Sequence, residues 1–164
     1  MKAFLTAFVS LFLLISCVFE SPFAPLAEVP VNEDLLGRWE TVSGDQHKPA
    51  QHMLVLQHSD NEYVVGYPLG ENAMAFRAWP VMLDGAEYIQ TQLIGTASGP
   101  VKREDRKFHL LKLDLNGDHL EIRTINPKVL GKDLKTTRDL LTAFRERQND
   151  PGLFDAPQKY RRMK

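Results

Sequence analysis

The sequence predicts a mainly β domain: an antiparallel meander of about seven or eight short strands followed by one amphipathic helix. Three observations predict it. Apolar residues alternate at period two between about Glu33 and Leu130, turn residues break that alternation at short intervals, and the period becomes helical only afterwards.

The chain opens on Lys2 and an apolar run, residues 3–15, in which only Thr6 and Ser10 are polar. As a helix the run would reach roughly 20 Å, short of the ~30 Å of a bilayer's hydrocarbon core. It fits the apolar region of a secretory signal, closed by the small Ser16. An uncleaved signal anchor is the competing account of the same residues. Leu14-Ile15-Ser16-Cys17 ends on the only cysteine of the chain and resembles the lipobox of bacterial lipoproteins. The resemblance implies cleavage before Cys17, a diacylglycerol thioether and an amide-linked acyl chain on that residue, and a membrane-anchored protein of the bacterial cell envelope. Three chains would make the attachment permanent. In enterobacteria-like lipoproteins an aspartate after the cysteine favours inner-membrane retention. Val18 stands there, which points to the outer membrane, facing the periplasm.

Cleavage would leave 164 − 16 = 148 residues, and loss of Lys2 would leave 19 basic against 21 acidic side chains. That balance gives no electrostatic case for nucleic acid. With Cys17 acylated no thiol remains for a disulfide, so stability rests on a core. Residues 18–32 contain Pro22, Pro25 and Pro30 without an apolar period and read as an extended linker. At about 3.1 Å per residue it would hold the domain tens of Å off the bilayer. The expected organisation is a signal peptide over 1–16, a lipidated N-terminus and linker over 17–32, and one β-rich domain over 33–164.

Strands are expected in LLGRWETVS, HMLVLQH, EYVVGYPL, AMAFRAWPVML, EYIQTQLIG, KFHLLKLDL and HLEIRTI. Asp84-Gly85 and Asn116-Gly117 mark hairpins, since these residues tolerate positive φ. Trp79-Pro80 suggests a bulge or an edge, because proline cannot donate to a ladder. The charged run 102–107 reads as a solvated loop. Thr136 to Asp139 offers a capping box, and Leu134, Thr137, Leu140, Leu141 and Phe144 share one helical face. Asn149 to Gly152 stops that helix. Leu153 and Phe154 look like an anchor, and QKYRRM returns as a last edge strand or trails as a basic tail.

So many sequential strands must manage their edges, and either a curved open sheet or a closed barrel does so. Gly37-Arg38-Trp39 resembles the G-x-W motif of lipocalins and their calycin relatives. The resemblance implies a barrel whose floor Trp39 closes, with a late arginine, Arg161 or Arg162, across its ring as a cation–π partner. No T-D-Y-like second motif is present, and the helix precedes the last strand, unlike the usual lipocalin order.

Little in the chain points to catalysis. There is no G-x-S-x-G elbow and no glycine-rich phosphate cradle before a helix. His52 and His58 share a strand face but stand too far apart for one metal, and His109 and His119 flank a hairpin with no carboxylate or cysteine at ligand spacing. The expectation is a non-enzymatic protein without cofactor or metal. Aromatic residues cluster more suggestively. Tyr63, Tyr67, Phe76, Trp79 and Tyr88 fall on three consecutive strands, with Tyr63 and Tyr67 on one face and Phe76 and Trp79 on opposite faces. With Gln90 to orient a ligand, they form the candidate pocket for a small hydrophobic or amphipathic molecule. The alternative is an envelope interaction or assembly protein with a solid core and a protein partner. A hollow interior would separate the two.

Overall fold

The computed structural model describes residues 19–42, 49–131 and 133–164. The expected signal segment and Cys17 lie outside the described residues. After a 3-10 turn at Glu33–Leu35 come β1 (Gly37–Thr41), β2 (His52–Ser59), β3 (Glu62–Gly66), β4 (Met74–Leu83), β5 (Ala86–Thr96) and β6 (Gly99–Pro100). These are followed by β7 (Phe108–Asn116), β8 (His119–Thr124), the short α1 (Pro127–Leu130), α2 (Thr137–Arg147) and β9 (Gln158–Arg162).

Every strand pairing is antiparallel, and the order β1-β2-β3-β4-β5-β7-β8-β9 returns to β1. Eight strands thus close a barrel, and β6 only extends the end of β5. Of the two architectures open to the sequence, the closed one is present. The residues expected as an edge strand or a tail, β9, are the closing strand between β8 and β1. Pro80 lies beyond the end of β3, flanked only by β5, where its missing N–H disturbs no second ladder.

Turn chemistry sets the registers. Asp84 and Gly85 both have positive φ, 49° and 84°, between the paired Leu83 and Ala86. The second hairpin sits one residue later than its dipeptide suggests. Asn116 pairs with His119, so Gly117 (φ 58°) and Asp118 form the loop. Glycine then occupies the first central position, as a type II′ loop prefers. The register gained sets Leu115 against Leu120 rather than against Asp118.

Two apolar clusters result. One lines the barrel, from Trp39, Met53, Val55, Tyr63, Ala78, Ile89, Leu120 and Tyr160. The other covers the outer face of β4, β5 and β7, where Trp79, Val81, Leu83 and Leu110 meet Leu140 and Phe144 of α2. Thr136 caps that helix, accepting from the Asp139 N–H, while Asp139 accepts from Thr136.

The expected linker belongs to this outer cluster. Phe19 exchanges two main-chain hydrogen bonds with Phe108 (3.1 and 2.9 Å), and Phe23 is 1 % exposed. Residues 19–27 run as a strap between barrel and helix, with Thr137 Oγ1 donating to the Pro22 carbonyl (2.6 Å) and Ser21 Oγ to that of Lys135 (2.6 Å). The packed part of the described chain therefore reaches back to Phe19, well before Glu33. Helix α2 alone is too narrow to cover three strands, and an extended proline-containing segment fills the remainder without needing a ladder of its own.

Candidate functional site

The barrel is closed at one end and open at the other. The floor is built around Trp39, which is fully buried and donates through Nε1 to the Leu35 carbonyl (3.0 Å). The Arg162 guanidinium lies 4.3 Å from the centre of the Trp39 ring. Its Nη1 donates to the Leu36 carbonyl (2.7 Å), its Nη2 donates to that of Asp34, and its Nε faces Asp118 (3.3 Å). Gly37 makes this possible: its φ is 121°, and a Cβ there would stand 3.3 Å from Arg162 Nη1. Of the two late arginines Arg162 holds the stacked position, and Arg161 points outward to Glu40 (2.6 Å). Tyr63 completes the floor, its hydroxyl accepting from the Asn32 N–H (2.5 Å) and donating to the Asn32 carbonyl (3.2 Å).

Above the floor lies a cavity of about 370 Å³. Its waist is hydrocarbon, from Met53, Val55, Val65, Phe76, Ile89, Leu111 and Ile122. Polar groups gather near the mouth. Tyr67 donates to Gln51 Oε1 (2.7 Å) and accepts from Gln158 Nε2 (2.8 Å), and its ring meets Tyr160 edge-on at 5.9 Å. Burial, helped by the neighbouring Tyr67, raises the Tyr160 hydroxyl above the usual phenol range, so it stays protonated near neutral pH. Across the mouth, His109 pairs in register with Thr91. Burial pushes its imidazole down to about 4, which keeps it neutral near pH 7. Asp105, Lys107 and Asp155 stand at the rim.

Three of the expected ligand-facing residues, Tyr63, Tyr67 and Phe76, line this cavity. Trp79, Tyr88 and Gln90 do not. They face the strap and helix on the outer side, where Tyr88 stacks on Phe154 (5.8 Å) and meets Phe144 edge-on (5.4 Å). Gln90 is fully buried as a clamp on the strap. Its Oε1 accepts from the N–H groups of Phe23 (2.5 Å) and Ala24 (3.1 Å), and its Nε2 donates to the Ala24 carbonyl (2.9 Å). Residue parity decides the split: even positions of β4 and odd positions of β5 point inward.

Thr91, His109, Gln158 and Tyr160 went unrecognised as pocket residues, although the parity that places Trp39 and Arg162 inward also selects Gln158 and Tyr160. His109 and His119 lie at opposite ends of the β7–β8 hairpin, and His52 faces away from the cavity that Met53 lines. Among the described residues no group of three or more His, Cys, Asp or Glu side chains is placed to hold a metal ion.

These features define a closed, lipocalin-like antiparallel β-barrel with an apolar internal cavity and a hydrogen-bonding mouth. Comparison with protein-family models, with curated proteins and with solved structures gives no match.

Proposed function

We propose that this protein is a membrane-anchored lipoprotein of the bacterial envelope whose barrel binds a small hydrophobic or amphipathic molecule without chemical turnover. The observation that carries the reading is the hollow interior. At the roughly 30 Å³ that a water-sized group takes in a liquid, the cavity volume of about 370 Å³ accommodates about a dozen heavy atoms. The waist suits an alkyl chain or a small ring system. The mouth suits a neutral hydrogen-bonding head, because His109 is uncharged and Lys107 is paired with Glu20 (3.3 Å), and Asp105 and Asp155 line the same rim. A bare carboxylate would meet no unpaired cation among the described lining residues.

The anchor on Cys17 is the second half of the reading, supported by the lipobox-like residues and the single cysteine. The assembly-protein alternative draws no support from the closed barrel, which among the described residues leaves no long sheet edge for a partner strand. Native mass spectrometry of the protein purified without detergent tests the binding half. A co-purifying amphiphile of about 150–250 Da, the mass of about a dozen heavy atoms, is expected; a ligand-free protein that takes up no added amphiphile would refute it.

A further inference from the structure

The strap changes where the barrel sits relative to a membrane. Chain running from the apolar leader reaches Phe19, which is already fixed to Phe108 by paired main-chain hydrogen bonds. Only Val18 separates Phe19 from Cys17, so two residues of fully extended chain span at most about 7 Å. Phe108 opens β7 at the mouth, next to Lys107 and one residue from His109. The strap then descends the barrel wall past Gln90 to the floor, where Val31 donates to the Asp60 carbonyl (2.9 Å). The tether therefore leaves the molecule at its open end. An uncleaved leader would leave it there too, since its apolar run stops at Ile15, four positions before Phe19.

From this placement we infer that the barrel docks mouth-down on the bilayer, its open end against the lipid headgroups, and exchanges a membrane-resident amphiphile directly with the lipid. This rests on the anchored, ligand-binding reading and specifies the source of the ligand. The rim fits the contact. Val42 and Leu69, 51 % and 37 % exposed, stand at this end, on the chain leaving β1 and on the β3–β4 connection. The loop 102–107 carries four cations against two anions, and Glu20 and Asp155 at the same end balance that excess of two. Tether and apolar tips hold the surface, with little demand for anionic lipid.

The test uses the chain from position 17 onward with Cys17→Ser, which keeps every described residue. Periodate oxidation of the N-terminal serine and coupling to an aminooxy phospholipid seat it on phosphatidylcholine vesicles without any cellular acylation step. Single cysteines labelled with a fluorophore are placed on the rim, Val42→Cys or Leu69→Cys, or at the floor, Glu33→Cys. A nitroxide on the lipid headgroups then reports proximity. Several-fold stronger quenching at positions 42 and 69 than at 33 is expected, with and without phosphatidylglycerol. Equal quenching at the two ends, or stronger quenching at 33, overturns the docking. Failure of the ligand reading shows separately: rim-selective quenching in a protein that takes up no amphiphile leaves the docking intact and removes the binding.

Discussion

The two faces of the barrel wall make an informative contrast. Alternate residues of β4, β5 and β7 supply apolar side chains to both, yet the outer face is filled and the inner one is hollow. Composition does not account for the difference. Strap and helix are separate bodies that settle onto the outer face until Phe19, Phe23 and Phe144 make contact, ring against ring at 5.4 and 6.3 Å. The inner face has no such freedom, because closure of eight strands holds the wall at a fixed radius. Slim residues at the waist, such as Thr91 and Val65, then leave space that no described side chain fills. A cavity kept open by topology is the physical basis for proposing a ligand on this side and a structural role for the other.

The largest expected effect falls on the filled face. Phe23→Ala should lower stability by about 3–5 kcal/mol through lost burial and a residual cavity, measured by urea unfolding. Ligand binding per folded molecule should stay unchanged. If Phe23→Ala instead weakened binding while leaving stability intact, the division between the faces would fail.

Next in size is the pH dependence of the hollow face. Native His109 binds its proton only near pH 4, whereas the unfolded imidazole binds one near 6.5. Between those values the unfolded state holds the extra proton, so stability should fall as pH is lowered from about 6.5 to about 4 and level off below. A shift of that size corresponds to about 3 kcal/mol, reduced by whatever water at the mouth screens. His109→Leu should flatten that slope relative to the parent in unfolding curves taken across the range.

At the floor the two late arginines give a smaller contrast. Arg162→Ala removes the cation over Trp39 and two donors to backbone carbonyls. A loss of about 1–2 kcal/mol is expected. Arg161→Ala breaks only an exposed pair with Glu40 and should stay within about 0.5 kcal/mol. Thermal melts of the two variants side by side check the ordering.

The sharpest functional change at little cost in stability is expected from Val65→Phe. Val65 lines the cavity and is only half-buried, so the larger ring has room there; stability should move by less than about 1 kcal/mol while ligand uptake drops. Fluorescent-amphiphile binding and urea midpoints measured on one preparation would separate the two readouts.

How much of this could be read from the sequence follows from the range of each signal. Local signals were readable: the Asp84-Gly85 turn, the Thr136 cap with Asp139, and the alternation along β7 and β8 each depend on a few neighbouring residues. Trp39 and its arginine were also accessible, though choosing Arg162 over Arg161 needed the register of β9 against β1. The strap was not, because Phe19 and Phe23 show no period and only the assembled outer face gives them partners. Gln90 illustrates the same limit. A glutamine among strand aromatics suggests a ligand contact, and only the three-dimensional path of residues 23 and 24 reveals it as a clamp. Phe76 and Trp79 already read as facing opposite sides, but only the assembled barrel shows that the side of Trp79, and that of Tyr88, is the outer one.

The account stands most directly on one titration: calorimetric binding of straight-chain alcohols and monoacylglycerols of increasing length to the detergent-free protein. Each buried methylene contributes about 0.8 kcal/mol, so affinity should rise about fourfold per carbon. It should level off once the chain fills the cavity of about 370 Å³, near ten to twelve carbons at roughly 30 Å³ for each heavy atom. Saturable one-to-one binding with that plateau, lost in Val65→Phe, is the predicted result. Absence of binding at every length, or affinity indifferent to chain length, would contradict it.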